Sequence, residues 1–350
     1  MKKFDYKTLN NFTITPEITQ KLIQISELRG KIEASSLESH NAILERLIEV
    51  AKIQSTEASN GIEGIHTTDT RLKQIMARKV MPRNRSEEEI SGYRDVLDLI
   101  HQQYTYIPVS SNTILTLHKH LFSFTASNWG GKFKDIDNQI VETLPDGTEE
   151  IRFDPPKAFM TPTLINDLCL EFNNAIQKDQ IPSLILCAAF VFDFVSIHPF
   201  RDGNGRISRL LTLLVLYQAN YGVGRYISLE SLIEKLKPQY YQALEESSVG
   251  WSDNTNSYLP FINYFLSIIL QAYRELDSRI TPTTNKSENL DILILQSLQN
   301  ELRPLSKRDL MAYIPQYGQS SIEHALMNLS NNGKIRKVGG GRSTKYVLVI

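Results

Sequence analysis

Apolar residues recur at helical spacing along most of the chain. Leu22, Ile25, Leu28 and Ile32 form one series, and Leu44, Leu47, Ile48 and Ala51 a second. The stretch MPRNRSEEEI interrupts the pattern, and Ser86 with Glu89 resembles a capping box opening a helix through Tyr93, Val96, Leu97 and Ile100. Further helices are predicted from Ser111 to Phe124, Thr161 to Ile176, Ser183 to Val195, Ile207 to Ala219, Ser228 to Glu246 and Tyr258 to Arg279. The Ser183–Val195 segment is apolar nearly all round, which predicts a central buried helix. One region differs in texture. Between Gln139 and Phe153, β-branched residues flank LPDGTEE, whose Pro-Asp-Gly chemistry predicts a short exposed hairpin.

Composition narrows the class. The 350 residues suit two or three domains, and a formal net charge of −1 excludes a polycation or an acidic tail. Cys169 and Cys187 lie in apolar helical settings and read as core thiols, not as a metal pair or disulfide framework. The start of the chain has no apolar segment of the signal-peptide kind, and no stretch is long enough for a membrane span; a cytoplasmic protein without membrane contact is expected.

The chemistry concentrates between the two most apolar helices, in SIHPFRDGNGRISRLL, Ser196 to Leu211. Buried polar groups are costly unless something satisfies them, so this run asks for a ligand. GNGRISR opens a helix whose first backbone amides are free for an anion, and Gly203 and Gly205 allow close approach. Asn204 offers a side-chain amide, and Arg206 and Arg209 offer guanidinium forks for phosphate. Asp202 is an oxygen ligand of the kind Mg²⁺ uses beside phosphates, and His198 is a candidate general base. A P-loop is absent, a dinucleotide fingerprint would follow a strand, and a zinc site would need more His or Cys.

HPFRDGNGRISR matches the Fic family motif HxFx(D/E)GNGRxxR at every fixed position, and the chain resembles that family from its N-terminal helices to about Arg279. The resemblance implies a mainly α fold: an all-helical Fic core with a short β-hairpin flap behind an N-terminal helical region. It implies transfer of AMP from ATP to a Tyr, Ser or Thr hydroxyl of an unknown target protein, or of the chain itself, with Mg²⁺. In that chemistry His198 is the base, Asp202 holds Mg²⁺, and Gly203, Asn204, Gly205, Arg206, Ile207, Ser208 and Arg209 surround ATP. Tyr240 and Tyr241 match a Tyr pair near the nucleotide. The hairpin, about 138–153 and including Ile140 and Val141, matches the flap that docks the target by strand pairing. GGKFK resembles the stretch before the flap, with Lys134 in place of the usual Arg, an exchange expected to matter little. Relatives often dimerise, which makes a homodimer the expected assembly.

STEASNGIEGIHT, Ser55 to Thr67, resembles the Fic inhibitory motif [ST]xxxE[GN], with Ser59, Glu63 and Gly64 in its fixed places. The resemblance implies that Glu63 pairs with Arg209 and keeps the γ-phosphate from docking.

The tail adds a separate expectation. RITPTTNKSEN reads as a linker, and three helical segments before a Gly-tipped strand pair suggest a winged helix. Lys334, Arg336, Lys337, Arg342 and Lys345 make its wing basic, so DNA is a candidate partner. The expected domains are 1–100 with the inhibitory motif at 59–64, 101–279 with the catalytic motif at 198–209, a linker at 280–289, and a winged-helix domain at 290–350. Two rival functions remain at this level: Fic-type transfer of phosphate, UMP or phosphocholine, and an ATP-sensing DNA-binding regulator.

Overall fold

A computed structural model describes residues 2–9, 12–35, 41–143, 149–280, 286–301, 304–315, 317–341 and 344–349; for 35, 41–43, 141–143, 149–150, 286–289 and 299–301 only the backbone enters the description. These residues are mainly helical. The order is α1 (Pro16–Ser35), α2 (Asn41–Ile62), α3 (Asp69–Met76), α4 (Arg85–Gln103), α5 (Ser111–Leu121), β1 (Ile140–Thr143), β2 (Glu149–Phe153), α6 (Thr161–Lys178), α7 (Ser183–Ile197) and α8 (Asn204–Gln218). Then follow α9 (Leu229–Lys235), α10 (Lys237–Ser248), α11 (Leu259–Ile280), α12 (Lys286–Glu301), β3 (Leu305–Ser306), α13 (Lys307–Tyr313), α14 (Gln319–Asn331), β4 (Ile335–Val338) and β5 (Lys345–Leu348).

The chain divides into two compact units, residues 1–29 with 51–273, and residues 30–50 with 274–350. Residues 51–100, expected as part of a separate N-terminal region, thus share a unit with 101–273.

In the first unit α7 is the central helix. Nearly every side chain on it is buried, and it packs against α6 and α8. Phe190 stacks on Phe172 of α6, and Phe192 meets Tyr258 and Phe261 at the start of α11. Truncating one such ring to Ala costs about 3–5 kcal/mol. Cys169 and Cys187 are both buried and free, as their apolar surroundings predict. One polar residue interrupts the α7 core. Asp193 accepts hydrogen bonds from Tyr6 Oη at 2.7 Å, Trp251 Nε1 at 2.7 Å and Tyr258 Oη at 3.0 Å. Three donors satisfy this buried carboxylate and bind residues 2–9 to the helix that ends at His198.

Two expectations need correction. The first turn of α4 is capped by Asn84, whose side chain accepts from Glu87 N at 2.9 Å, and not by a Ser86–Glu89 box. Ser86 lies inside the helix, and the Glu89 carboxylate is used elsewhere. The predicted helix from Ser228 to Glu246 is two helices, α9 and α10, because Pro238 in the first turn of α10 cannot continue the hydrogen-bond ladder of α9. The predicted hairpin forms: β1 and β2 pair antiparallel, with Val141 opposite Ile151. Its tip, 144–148, and the Val141 side chain lie outside the described residues.

The second unit has its own apolar core, including Leu290, Ile294, Leu310, Ile322, Leu326 and Ile335. Its strands run β3-β5-β4, all antiparallel. β3, which the sequence pattern did not suggest, is two residues long and leads into a Ser306–Asp309 capping box on α13. Arg336, Lys337 and Lys345 are exposed on the β4–β5 ribbon, while Arg342 lies outside the described residues. No helix among the described residues is long and apolar enough to cross a membrane.

Candidate functional site

The 198–203 loop joins α7 to α8, and its backbone is set by two left-handed residues. His198 ends α7 at φ +49°, ahead of Pro199, and its N–H still reaches the Phe194 carbonyl at 3.2 Å. For a residue with a Cβ this conformation costs about 1–2 kcal/mol, so the surroundings must hold it. Gly203 opens α8 at φ +80°. A Cβ there would meet the Phe122 ring at 2.9 Å, so both conformation and space demand glycine.

α8 begins at Asn204, three residues earlier than the apolar pattern suggests, so Asn204, Gly205 and Arg206 form its first turn. No side chain caps that turn, which leaves its amides open to an anion. The side chains of the motif are used unevenly. Asn204, expected to donate to phosphate, accepts from Phe200 N at 2.8 Å and donates to the Phe200 carbonyl at 2.8 Å. Its side-chain amide therefore holds the loop. Ile207 is fully buried, and Ser208 donates to the Gly205 carbonyl at 2.7 Å. Arg206, 1% exposed, donates to Glu89 Oε2 at 2.6 Å and lies over the Phe122 ring.

Arg209 is the arginine that meets the inhibitory motif. Its Nη2 donates to Glu63 Oε1 at 2.8 Å and to the Ser59 carbonyl at 2.8 Å, and its Nε donates to Ser59 Oγ at 2.8 Å. The same Glu63 oxygen stands 2.2 Å from the place a Cβ on Gly205 would take. A carboxylate thus already lies at the open first turn of α8. Burial works against its charge, but Arg209, with Arg206 and Lys237 behind, holds its pKa below the ordinary value of 4.5. The backbone explains the motif's spacing. Ile65 N–H reaches the Asn60 carbonyl at 3.0 Å and Gly64 N–H the Gly61 carbonyl at 2.9 Å, with Gly64 at φ +75°. This is a Schellman end to α2, which sets Glu63 at the last turn and Ser59 one turn before it. Lys237 Nζ donates to the Ile62 carbonyl at 3.1 Å and completes that end.

His198 has its pKa pushed down to about 4, first by burial and then by the Lys134 cation, against the Val195 carbonyl and Glu63. It is a neutral imidazole at neutral pH, able to accept a proton. Among the described residues its Nδ1 is buried without a hydrogen-bond partner. Asp202 is the exposed member of the motif, its side chain 42% accessible. Its Oδ1 accepts from Gly203 N at 2.6 Å, and its Oδ2 lies 3.6 Å from Arg85 Nη2. No cluster of three metal-ligating side chains exists among the described residues. A single accessible carboxylate fits Mg²⁺ only when phosphate oxygens and water complete the shell.

Tyr240 is nearly buried, packs edge-on against Tyr241, and lines a small cavity of about 30 Å³ with Ser208 and Arg209. Tyr241 faces Arg152 of β2 at 5.0 Å and Lys237 at 5.9 Å. The Tyr pair, the 198–209 motif and the 59–64 segment therefore converge, and the hairpin leg carrying Arg152 adjoins them.

The structure adds one residue the sequence did not single out, His118, and gives new partners to Glu89 and Lys134. His118 is fully buried, stacks on Phe200 at 3.7 Å, accepts from Gly131 N at 2.9 Å and faces the Asp202 carbonyl at 3.1 Å. Gly131 N–H is a fixed donor, so His118 carries its proton on Nε2 and donates to Asp202. Glu89 anchors Arg206, and Lys134 lies beside His198. Arg206 lies 117 residues from Glu89, and the Asp202 carbonyl 84 from His118, beyond any local pattern.

Comparison with known proteins agrees with this geometry. Residues 108–216 match the Fic/DOC family, a span that holds the 198–209 motif but not Glu63 or Tyr240–Tyr241. The chain is similar to the protein adenylyltransferase Fic of Drosophila grimshawi, 23% identical over 279 residues, covering 79% of this chain and 52% of that protein. It is also similar to the protein adenylyltransferase Fic of Drosophila erecta, 27% identical over 225 residues, covering 61% of this chain and 43% of that protein. The chain thus spans about half the length of these curated relatives. In fold it is similar to a Fic family protein from Desulfovibrio desulfuricans, with a TM-score of 0.64, 22% identity and 97% of each chain covered. Residues 108–216, which hold the motif, thus carry the chain's Fic domain, and the fold around them is similar to that of a Fic family protein.

Proposed function

We propose that the chain is a protein adenylyltransferase, restrained by its own Glu63. The observation that carries the reading is the uncapped first turn of α8, with a neutral His198 before it and a displaceable carboxylate from Glu63 upon it. In the reaction His198 takes the proton of a Tyr, Ser or Thr hydroxyl on a target protein or on the chain itself. The hydroxyl oxygen bonds to the α-phosphorus of ATP, the bond to the bridging oxygen breaks, and pyrophosphate leaves. The first-turn amides hold phosphate oxygens, and Arg209 turns from Glu63 to the γ-phosphate. Arg206, fixed on Glu89, adds positive charge behind them. Asp202 would hold Mg²⁺, which neutralises phosphate charge when bound. The β1–β2 hairpin, with Ile140 and Val141 on its first strand, lays the target segment alongside.

The name borne by the Drosophila relatives supports AMP as the group moved. Gly205 supports it too, since a Lys there would suit a phosphate-transferring relative. The second unit has the order helix, strand, helix, helix, strand, strand, which supports reading it as a winged helix. Its α14, where a DNA reader would carry its contacts, contains no Lys or Arg.

The test uses the Glu63→Gly protein, Mg²⁺, a cell lysate and ATP labelled on the α- or γ-phosphate, with His198→Ala as the blank. Protein-bound α-label that His198→Ala abolishes is expected. γ-Label alone, or no label, overturns the reading.

A further inference from the structure

Lys134 is 4% exposed, yet no carboxylate pairs with it at hydrogen-bonding distance among the described residues. Its ammonium donates to two neutral acceptors, Asn138 Oδ1 at 2.7 Å and the Ile197 carbonyl at 3.4 Å. A buried ammonium in such company is costly, and an apolar chain of the same length would avoid the cost. Packing alone does not explain it.

Its position does. The Lys134 N–H donates to the Pro199 carbonyl at 2.9 Å, and Asn138 Nδ2 donates to the Phe200 carbonyl at 3.1 Å. Carbonyls on both sides of His198 are therefore held from one segment, 134–138. Two of its donors are neutral and the third is a cation. α7 has no basic residue in its last turn, so a charge to complement its C-terminal carbonyls has to come from elsewhere in the chain. The same segment is the root of the hairpin. It leads into β1, and its Asp137 accepts from Ala158 N at 2.7 Å and pairs with Lys157 at 3.3 Å, just past β2. Both legs of the hairpin are thus tied to the residues that fix the turn at His198.

We propose that Lys134 is a positioning residue: through the hairpin root it holds the left-handed turn at His198 in register with β1–β2, so that a hydroxyl laid along the hairpin meets the base. The proposal deepens the AMP-transfer reading and rests on it. Lys134 touches neither nucleotide nor hydroxyl and acts through His198.

The experiment starts from the full chain carrying Glu63→Gly and adds Lys134→Met, Lys134→Arg or Asn138→Ala. Transfer of α-label is measured against ATP concentration. A small misplacement of a reacting group costs rate more than binding, so Lys134→Met should lower the rate at saturating ATP by about tenfold or more, with KM for ATP within about twofold. Lys134→Arg, which keeps the cation, should recover most of the rate. Asn138→Ala should give a smaller loss of the same kind, and it serves if Lys134→Met fails to fold. An unchanged rate, or a KM that rises at constant rate, overturns the proposal. Amide hydrogen exchange over residues 196–203 reads the same tie without turnover. Faster exchange in Lys134→Met, restored in Lys134→Arg, is expected, and equal exchange in all overturns the proposal. If the Glu63→Gly protein with Lys134 intact transfers no label, the AMP-transfer reading fails, and the exchange result alone decides whether Lys134 holds the turn.

Discussion

Glu63 and Arg209 are joined at 2.8 Å over the Gly205 backbone, where the first turn of α8 is open. One carboxylate therefore engages both the guanidinium and the helix end that the proposed reaction needs for phosphate. Glu63→Gly should raise transfer. A hydrogen-bonded charge pair contributes about 1.5–3 kcal/mol and solvent reaches the Glu63 side, so the gain should be roughly tenfold to a hundredfold. Label incorporation with and without the substitution checks it. The pair is also a pH statement. Because the Glu63 pKa is held below 4.5, the contact is present above that value and lost only as pH falls through the lower, folded-state pKa. The ratio of Glu63→Gly to parent activity should therefore stay flat from pH 6 to pH 8.

His198, His118 and His101 each have pKa values pushed down to about 4, in every case chiefly by burial. Above 6.5 they are neutral whether folded or not. Below 6.5 the unfolded chain takes protons that the fold refuses, so stability falls as pH drops from 6.5 towards 4. Urea unfolding followed at pH 7.5, 6 and 5 should show a falling midpoint. The slope at pH 5 should correspond to an uptake of about three protons on unfolding. For the same reason the acid limb of transfer should have its midpoint well below 6.5.

Asp202 offers an accessible carboxylate, and no group of three metal-ligating side chains includes it among the described residues. Mg²⁺ alone should leave the melting temperature unchanged. Mg²⁺ with ATP should raise it, more in the Glu63→Gly protein than in the parent, and Asp202→Ala should remove the Mg²⁺-dependent part. A thermal-shift series distinguishes these outcomes.

Glu89 is the buried partner of Arg206, at 2.6 Å. Removing it leaves a guanidinium that is 1% exposed with only the longer contact to Asp202 Oδ1 at 3.3 Å. Glu89→Ala should destabilise the fold by about 3–5 kcal/mol, measured by urea unfolding. Glu89→Gln, which keeps an acceptor, should cost less.

Much of this was legible in the residues alone. The 198–209 motif can be read because its members are consecutive and its helix, α8, is local. The Glu63 motif can be read for the same reason, since a helix end is encoded within six residues. What stayed hidden depends on tertiary pairing. Lys134 looks like a small departure in a short motif until its acceptors at 138 and 197 are seen. His118 is one of two histidines at the end of α5, and only the fold separates the buried one from exposed His120. Asn204 shows the limit of local reading: an amide before a helix suits a phosphate donor or a loop clasp, and the Phe200 backbone engages its side chain as a clasp. A Ser86–Glu89 box does not form because Asn84, two residues before Ser86, caps the same helix.

The left-handed Gly64 that ends α2 gives the restraint an adjustable quality. A Cβ on Gly64 would find open space within 4 Å. The penalty of replacing it is therefore purely conformational, about 1 kcal/mol for Ala and less for Asn, which tolerates this backbone. Where Glu63 restrains transfer as proposed, substitution at this position sets resting activity in graded steps and leaves the residues from His198 to Arg209 as they are. A lineage bearing this helix end then has a volume control separate from the parts proposed for the chemistry.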